Sequence, residues 1–200
     1  NNDDIYIWQV SEGIIGHTLV GRHLSNLRST CVAFAPDGQI LASGSNDMII
    51  RLWMTSDWSL VHTSSRQPFG ITSVIFSPDG QILALSQSGI GSIRLLRRED
   101  GSLLQELVGH TGGVSSVVFS PNSEFLASAG IDDYTVRLWR VDDGSHLLRI
   151  QGHTDVVTSV AFSQGGDTLA SGSYDETIRL WRVTDGSLLR TLEGHTDWVT

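Results

Sequence analysis

Four stretches of this chain repeat one another at nearly constant spacing, and that repetition restricts the fold more than any other feature. Leu41–Trp53 reads LASGSNDMIIRLW, Leu126–Trp139 reads LASAGIDDYTVRLW and Leu169–Trp181 reads LASGSYDETIRLW, with a more divergent copy, LALSQSGIGSIRLL, over Leu83–Leu96. With Trp8, Trp53, Leu96, Trp139 and Trp181 taken as equivalent markers, successive steps are 45, 43, 43 and 42 residues. Apolar and polar residues alternate with a period of two within each copy, as in Thr177-Ile178-Arg179-Leu180-Trp181, which predicts strands and not helices.

Turn-forming residues recur at matching places. Ala35–Gly38 (APDG) and Ser77–Gly80 (SPDG) put proline where φ of about −65° is wanted and glycine where φ is free to be positive. Ser120–Ser123 (SPNS) and Ser163–Gly166 (SQGG) keep the same turn chemistry with other letters. A second turn, Asp100-Gly101, Asp143-Gly144 and Asp185-Gly186, opens a leucine-bearing strand each time. Each unit therefore reads as four strands: one before a Gly-His pair, one after it, one at Leu-Ala-Ser and one ending at Trp. This pattern predicts an all-β fold, a β-propeller of four-stranded antiparallel blades. The strand count starts with the last strand of one blade at Trp8 and stops in the first strand of another at Trp198 to Thr200. One propeller segment over 1–200, a partial or open ring belonging to a larger propeller, is expected. A five-blade ring lacking one strand and closure by pairing with a second chain are the alternatives.

The pairs Gly109-His110, Gly152-His153 and Gly194-His195, with Trp closing repeats at 8, 53, 139 and 181, resemble the WD-repeat family over essentially the whole chain. The Asp that follows this Trp in the family is replaced by Gln9, Met54, Arg140 and Arg182. The resemblance implies a full ring of about seven blades. It also implies a hydrogen-bonded tetrad of His, Ser, Asp and Trp inside each blade. Matching residues are His153, Ser171, Asp175 and Trp181 in one unit. In another they are His110, Ser128, Trp139 and either Asp132 or Asp133, one residue being inserted there. Ser43, Asp47 and Trp53 match in a third, where the histidine position falls on Ser25 with His23 nearby. The unit ending at Leu96 retains only Ser86, and loss of the network is expected to make the segment from about Gln67 to Leu96 the least stable blade.

Serine, histidine and aspartate together also invite comparison with a hydrolytic triad. A catalytic set is needed once, whereas this one recurs at the blade period, and its serine lies within a strand and not on an exposed, strained turn. A structural role is the expectation, with no enzyme activity and no cofactor. Spacing of the seven histidines and the lone cysteine gives no metal-ligand pattern. A catalytic propeller would need carboxylates or a metal in its central channel, but the innermost strands read Val-Ala-Phe, Val-Ile-Phe and Val-Val-Phe.

Charge narrows the partners. The net charge is −9 and all 13 basic residues are arginines spread along the chain, the one tight pair, Arg97-Arg98, standing beside Glu99 and Asp100. Such a surface repels phosphate backbones, so no nucleic-acid partner is expected. No apolar run approaches the roughly 18–20 residues of a membrane span, and Asn1, Asn2, Asp3 and Asp4 do not begin a signal peptide, so no membrane partner is expected either. The single thiol, Cys31, suits a reducing, cytoplasmic compartment.

Repeat folds present broad loop surfaces, so protein or peptide partners are expected on the upper loop face. The resemblance places contacts at the residue before the tetrad Asp, here Asn46, Asp132 and Tyr174, and at the start of the innermost strand, here Gly113, Val156 and Trp198. Exposed aromatics favour Tyr174 and Trp198 among them, with burial of Trp198 by the next strand as the alternative reading. The function expected is a non-enzymatic protein-protein interaction scaffold or sensor module of a larger bacterial signalling protein, with self-association possible through open blade edges. The alternatives are the catalytic propeller and an engineered or amplified repeat fragment that closes by oligomerisation.

Overall fold

Alternating apolar residues become strands at each place where the repeat pattern puts them. The computed structural model describes residues 5–9, 11, 14–19 and 29–200, and within these it contains strands, turns and loops but no helix. A two-stranded hairpin, β1 (Ile5–Gln9) and β2 (Ile14–Leu19), comes first. Four antiparallel sheets of four strands each follow. The first blade is β3 (Ser29–Phe34), β4 (Ile40–Ser45), β5 (Ile50–Met54) and β6 (Leu60–Thr63). The second is β7 (Ile71–Phe76), β8 (Ile82–Gln87), β9 (Ser92–Arg97) and β10 (Leu103–Val108). The third is β11 (Val114–Phe119), β12 (Phe125–Gly130), β13 (Val136–Arg140) and β14 (His146–Ile150). The fourth is β15 (Val157–Phe162), β16 (Thr168–Ser173), β17 (Ile178–Arg182) and β18 (Leu188–Leu192).

Blade and repeat are out of step by one strand. The sequence grouping put the leucine-bearing strand at the head of each unit, but that strand pairs with the strand before it: β6 with β5, β10 with β9, β14 with β13 and β18 with β17. The Asp-Gly turn is short enough to return the chain at once onto its neighbour, so the hairpin wins over the longer link through Gly-His. Trp198–Thr200, expected to begin another strand, is not a strand, although Val199 N–H donates to Ser173 O at 3.1 Å.

Each sheet is apolar on both faces, which forces the blades to stack. Ala42, Ile50 and Leu52 of the first blade pack against Ile71, Val74, Phe76 and Leu85 of the second. Ile93 and Leu95 meet Val117, Phe119 and Trp139 in the next interface, and Val136 and Leu138 meet Val157, Val160 and Trp181 in the last. The innermost strands β3, β7, β11 and β15 run side by side along an arc that does not close into a ring. The β1–β2 hairpin covers Leu41 and Trp53 but not the rest of the first blade's face. Phe34 is 57% exposed there, whereas its equivalent Phe76 is 5% exposed.

A bulge near the start of each innermost strand joins one blade to the next. The register slips between Ile71 and Ser73, between Val114 and Ser116, and between Val157 and Ser159. The residue in the bulge is a hydroxyl each time. Thr72 Oγ1 donates to Val114 O at 2.6 Å, Ser115 Oγ to Val157 O at 2.5 Å and Thr158 Oγ1 to Val199 O at 2.6 Å. The unpaired bulge residue is thereby re-aimed across the gap between sheets.

One turn departs from its equivalents. Gly101, Gly144 and Gly186 have φ of 68°, 69° and 71°, and the matching residue in the first blade is Trp58 at 59°. A bulky side chain is strained in this region. Packing holds it there: Trp58 lies against the Leu19, Leu41 and Trp53 cluster and its ring is 5.8 Å from that of His17.

Candidate functional site

Chain direction sorts the loops into two ends. β11 leaves the loop at Gly113 and runs to the Ser120–Ser123 turn, and β12 returns to the loop 131–135. Loops that carry the histidines and tetrad acids therefore share an upper end, and the Pro-Asp-Gly and Asp-Gly turns share a lower end.

The third and fourth blades contain complete networks. Trp139 Nε1 donates to Ser128 Oγ at 2.9 Å, His110 Nε2 lies 2.8 Å from the same hydroxyl, and His110 Nδ1 is 3.0 Å from both oxygens of Asp133. In the fourth blade the distances are 2.8 Å for Trp181 to Ser171, 2.7 Å for His153 to Ser171 and 2.8 Å for His153 to Asp175. The acid of the third blade is thus Asp133. Asp132 points instead to the next loop, where its Oδ2 accepts from Gly113 N–H at 2.9 Å. A carboxylate only accepts, so the proton of each histidine on this side sits on Nδ1. Ser128 and Ser171 are 0% and 1% exposed, which leaves their hydroxyls no access to an outside substrate.

Electrostatics keep the pairs in place. Burial pushes the His153 imidazolium down from its ordinary pKa, outweighing the pull of Asp175. Burial alone would raise Asp175, but hydrogen bonds from Thr177, His153 and the Thr154 N–H bring it down to about 2. Asp133 is likewise pushed up by burial, yet its bonds from His110 and Thr135 and the attraction of His110 hold it well below the usual carboxylate range.

An arginine that the sequence reading missed completes each network. Arg51 Nη2 donates to Asp47 Oδ2 at 2.7 Å, Arg137 Nη2 lies 3.4 Å from Asp133 Oδ2, and Arg179 Nη2 lies 4.0 Å from Asp175 Oδ2. The signal was present: an arginine, at 51, 94, 137 and 179, stands two residues before each of the markers at 53, 96, 139 and 181, whereas Tyr6 stands before Trp8. Its four-residue offset from the tetrad Asp brings the two together across the turn. In the first blade Trp53 Nε1 donates to Ser43 Oγ at 3.0 Å, as expected, while Ser25 and His23 lie outside the described residues. His146 was also missed; its ring sits 4.9 Å from that of Trp139, and burial lowers its pKa.

The second blade corrects the alignment. Opposite Arg51 and Arg137 stand Ser43 and Ser128, but opposite Arg94 stands Leu85. Ser86 is one residue along and faces the other way, since a shift of one flips a strand side chain; its Oγ is 2.8 Å from Thr72 Oγ1. The tetrad serine and tryptophan are therefore replaced together by Leu85 and Leu96, both in the core. Gln67 occupies the histidine position, four residues before the innermost strand, and its Oε1 accepts from Arg94 Nη1 at 2.6 Å. Exchanging both partners of a buried hydrogen bond for apolar groups can be nearly neutral, and Leu85 with Leu96 is such an exchange.

The expected partner contacts all lie on upper loops, but they are not equally available. Asn46 and Asp132 are exposed, while Val156 is half-buried and its carbonyl accepts from Tyr174 N–H at 3.0 Å. Gly113 is buried with its Cα packed on Ser88 O, where even a Cβ would come within 2.2 Å. Tyr174 and Trp198 are brought together: their rings stack with centroids 4.2 Å apart and planes 16° from parallel, and Trp198 remains 60% exposed. Among the described residues no cluster of three His, Cys, Asp or Glu forms a metal site.

Two outcomes follow for stability. Ser171→Ala leaves Trp181 Nε1 and His153 Nε2 without their partner, at about 1–3 kcal/mol for each buried group, so unfolding by urea should show a loss of about 2–6 kcal/mol with β-sheet circular dichroism retained. Acid should destabilise the protein in two stages. The folded His153 refuses a proton that the unfolded chain takes up near pH 6.5, and the folded Asp175 does so between about 3.8 and 2, so stability present above each range is lost as pH falls through it. Urea midpoints measured from pH 8 to 3 check this, and Asp175→Asn should flatten the lower part of the curve.

The profile of the family described as WD domain, G-beta repeat matches residues 16–54, 101–140 and 144–182. The interval between the first two matches holds Leu85 and Leu96, the two replacements that remove the tetrad. With its four-stranded blades, its Trp-Ser-His-Asp networks and these three matches, the chain belongs to the WD-repeat family.

Proposed function

We propose that this chain is a non-enzymatic docking module that binds a protein partner through its upper loops, centred on Tyr174 and Trp198. WD repeats generally mediate contact between proteins and are typically non-catalytic. The carrying observation is the stacked pair itself: a largely exposed indole supported by a second ring, on backbone tied to the rigid blade through Val199 N–H and Ser173 O. Preorganised aromatics of this kind lose little side-chain freedom on binding, as interface hot spots require. Burial of the tetrad serines supports a structural and not a hydrolytic role for the networks. We place the module in a larger bacterial signalling protein of the cytoplasm, on the strength of its near-regular repeats and its single thiol. Trp198→Ala and Tyr174→Ala should each abolish capture of the partners that the unaltered protein retains, at unchanged thermal stability. Equal capture by all three proteins would sink the reading.

A second reading, self-association, is favoured by the apolar face of the first blade, where Val32 and Phe34 are both more than half exposed. Light scattering should give a mass above the 21.8 kDa of one chain, and Phe34→Glu should return it to that of a monomer.

A further inference from the structure

Grooves recur between neighbouring blades at the lower end, opposite Tyr174 and Trp198. The groove between the first and second blades, about 530 Å³, is bordered by Asp37, Ile40, Leu52, Val61, Gln81 and Arg98. Arg98 bridges it. Its Nη2 donates to Asp37 Oδ2 at 2.7 Å, and its guanidinium carbon lies 6.0 Å from the centre of the Phe76 ring. Asp37 Oδ1 is meanwhile satisfied by Gln39 N–H at 3.0 Å.

The groove between the second and third blades repeats this one residue by residue, with a single decisive change. Ile82, Leu95, Leu104 and Glu124 take the places of Ile40, Leu52, Val61 and Gln81, and Asp79 takes that of Asp37. Val141 stands where Arg98 stood: Arg98 N–H donates to Gln81 O and Val141 N–H to Glu124 O, both at 2.9 Å. The volume is larger, about 760 Å³. Asp79 Oδ1 accepts from Ser77 Oγ at 2.5 Å and from Gln81 N–H at 3.0 Å, as its equivalent does from Gln39. Asp79 Oδ2, the atom that in Asp37 receives the guanidinium, has no hydrogen-bond or ion-pair partner among the described residues. Glu124 and Asp142 add carboxylates at the rim, and the one lining cation, Arg140, is half exposed and 3.6 Å from Asp143 Oδ2.

We propose that this lower groove docks an arginine-bearing peptide segment of a partner protein, the guanidinium taking on Asp79 the place that Arg98 takes on Asp37. The molecule itself supplies the template, since the same carboxylate in the same turn already binds a guanidinium one blade earlier. The planar fork of arginine suits the carboxylate, and its methylene stem suits the apolar floor of Leu95, Leu104 and Phe125. A chain of net charge −9 attracts such a segment from a distance. This site is at the opposite end from the aromatic pair and stands or falls separately from it.

The test is amide NMR titration of the 15N-labelled protein with the peptide acetyl-Ala-Leu-Arg-Leu-Ala-amide, against the same peptide with neutral citrulline in place of arginine. Shifts should gather at Asp79–Ile82 and at Val141 and Asp142, be weakened by salt and be absent with citrulline. Asp79→Asn should weaken binding about tenfold, the scale of one charge-assisted hydrogen bond. Val141→Arg should rebuild the intramolecular pair and block the peptide. Arg98→Val should open the neighbouring groove and add a second set of shifts at Asp37–Ile40, a gain that misfolding would not mimic. Shifts confined to the upper loops, equal binding of the citrulline peptide, or an Arg98→Val protein that still binds at one place would each overturn the proposal.

Discussion

Burial between facing sheets is the interaction on which everything else in this protein rests. A four-stranded sheet with Ala42, Ile50 and Leu52 on one side and Leu41 and Trp53 on the other carries apolar residues on both faces, and each face is withdrawn from water only where a neighbour stacks on it. Stacking then decides what each blade must do with its polar groups. Serine, histidine and aspartate reach into the outer part of the blade because that is where the Trp ring leaves a polar edge to satisfy, and the arginine two residues before it neutralises the acid. Where the tryptophan is absent, as at Leu96, the serine is absent too, and the pair becomes Leu85 with Leu96. The network is a way of finishing an interface whose existence depends on apolar area.

Local rhythm made most of this architecture readable in advance. The period of 42 to 45 residues, the two-residue alternation and the turn letters located sixteen strands of four blades closely. The tetrads at Ser128, His110 and Trp139 and at Ser171, His153 and Trp181 were also legible, because each residue recurs at a fixed distance from a marker. What failed was anything decided by pairing. Ser86 takes the tetrad place only when residues are counted back from Leu96, across a loop one residue longer than that of the first blade; counted forward from the Pro-Asp-Gly turn, Leu85 stands where Ser43 does, and the register opposite Arg94 agrees. The choice between Asp132 and Asp133 was open for the same reason. Strand grouping slipped because a short hairpin and a long connection look alike until hydrogen bonds are drawn.

Contacts between blades were out of reach altogether. Arg98 and Asp37 are 61 residues apart and nothing nearby in the chain announces their pairing. The stack of Tyr174 on Trp198 likewise joins residues of two different repeats, each of which had been singled out separately. These are the places where the copies differ from one another, and a reading built on what repeats is blind to them. Function in a repeat protein is concentrated there, since identical units offer identical surfaces.

The hydroxyls in the strand bulges bear on how such a chain is built over time. Thr72 and Ser115 each donate a hydrogen bond to a backbone carbonyl of the following blade, Thr158 donates in the same way to Val199 O beyond the fourth blade, and none of the three donates to a side chain there. A joint made to a carbonyl oxygen is indifferent to what residue carries it. A duplicated, swapped or worn unit therefore inherits a working connection to its predecessor from the first generation, before any of its own letters have adapted. The second blade, without the tetrad, keeps the same kind of joint to the third, Thr72 donating to Val114 O.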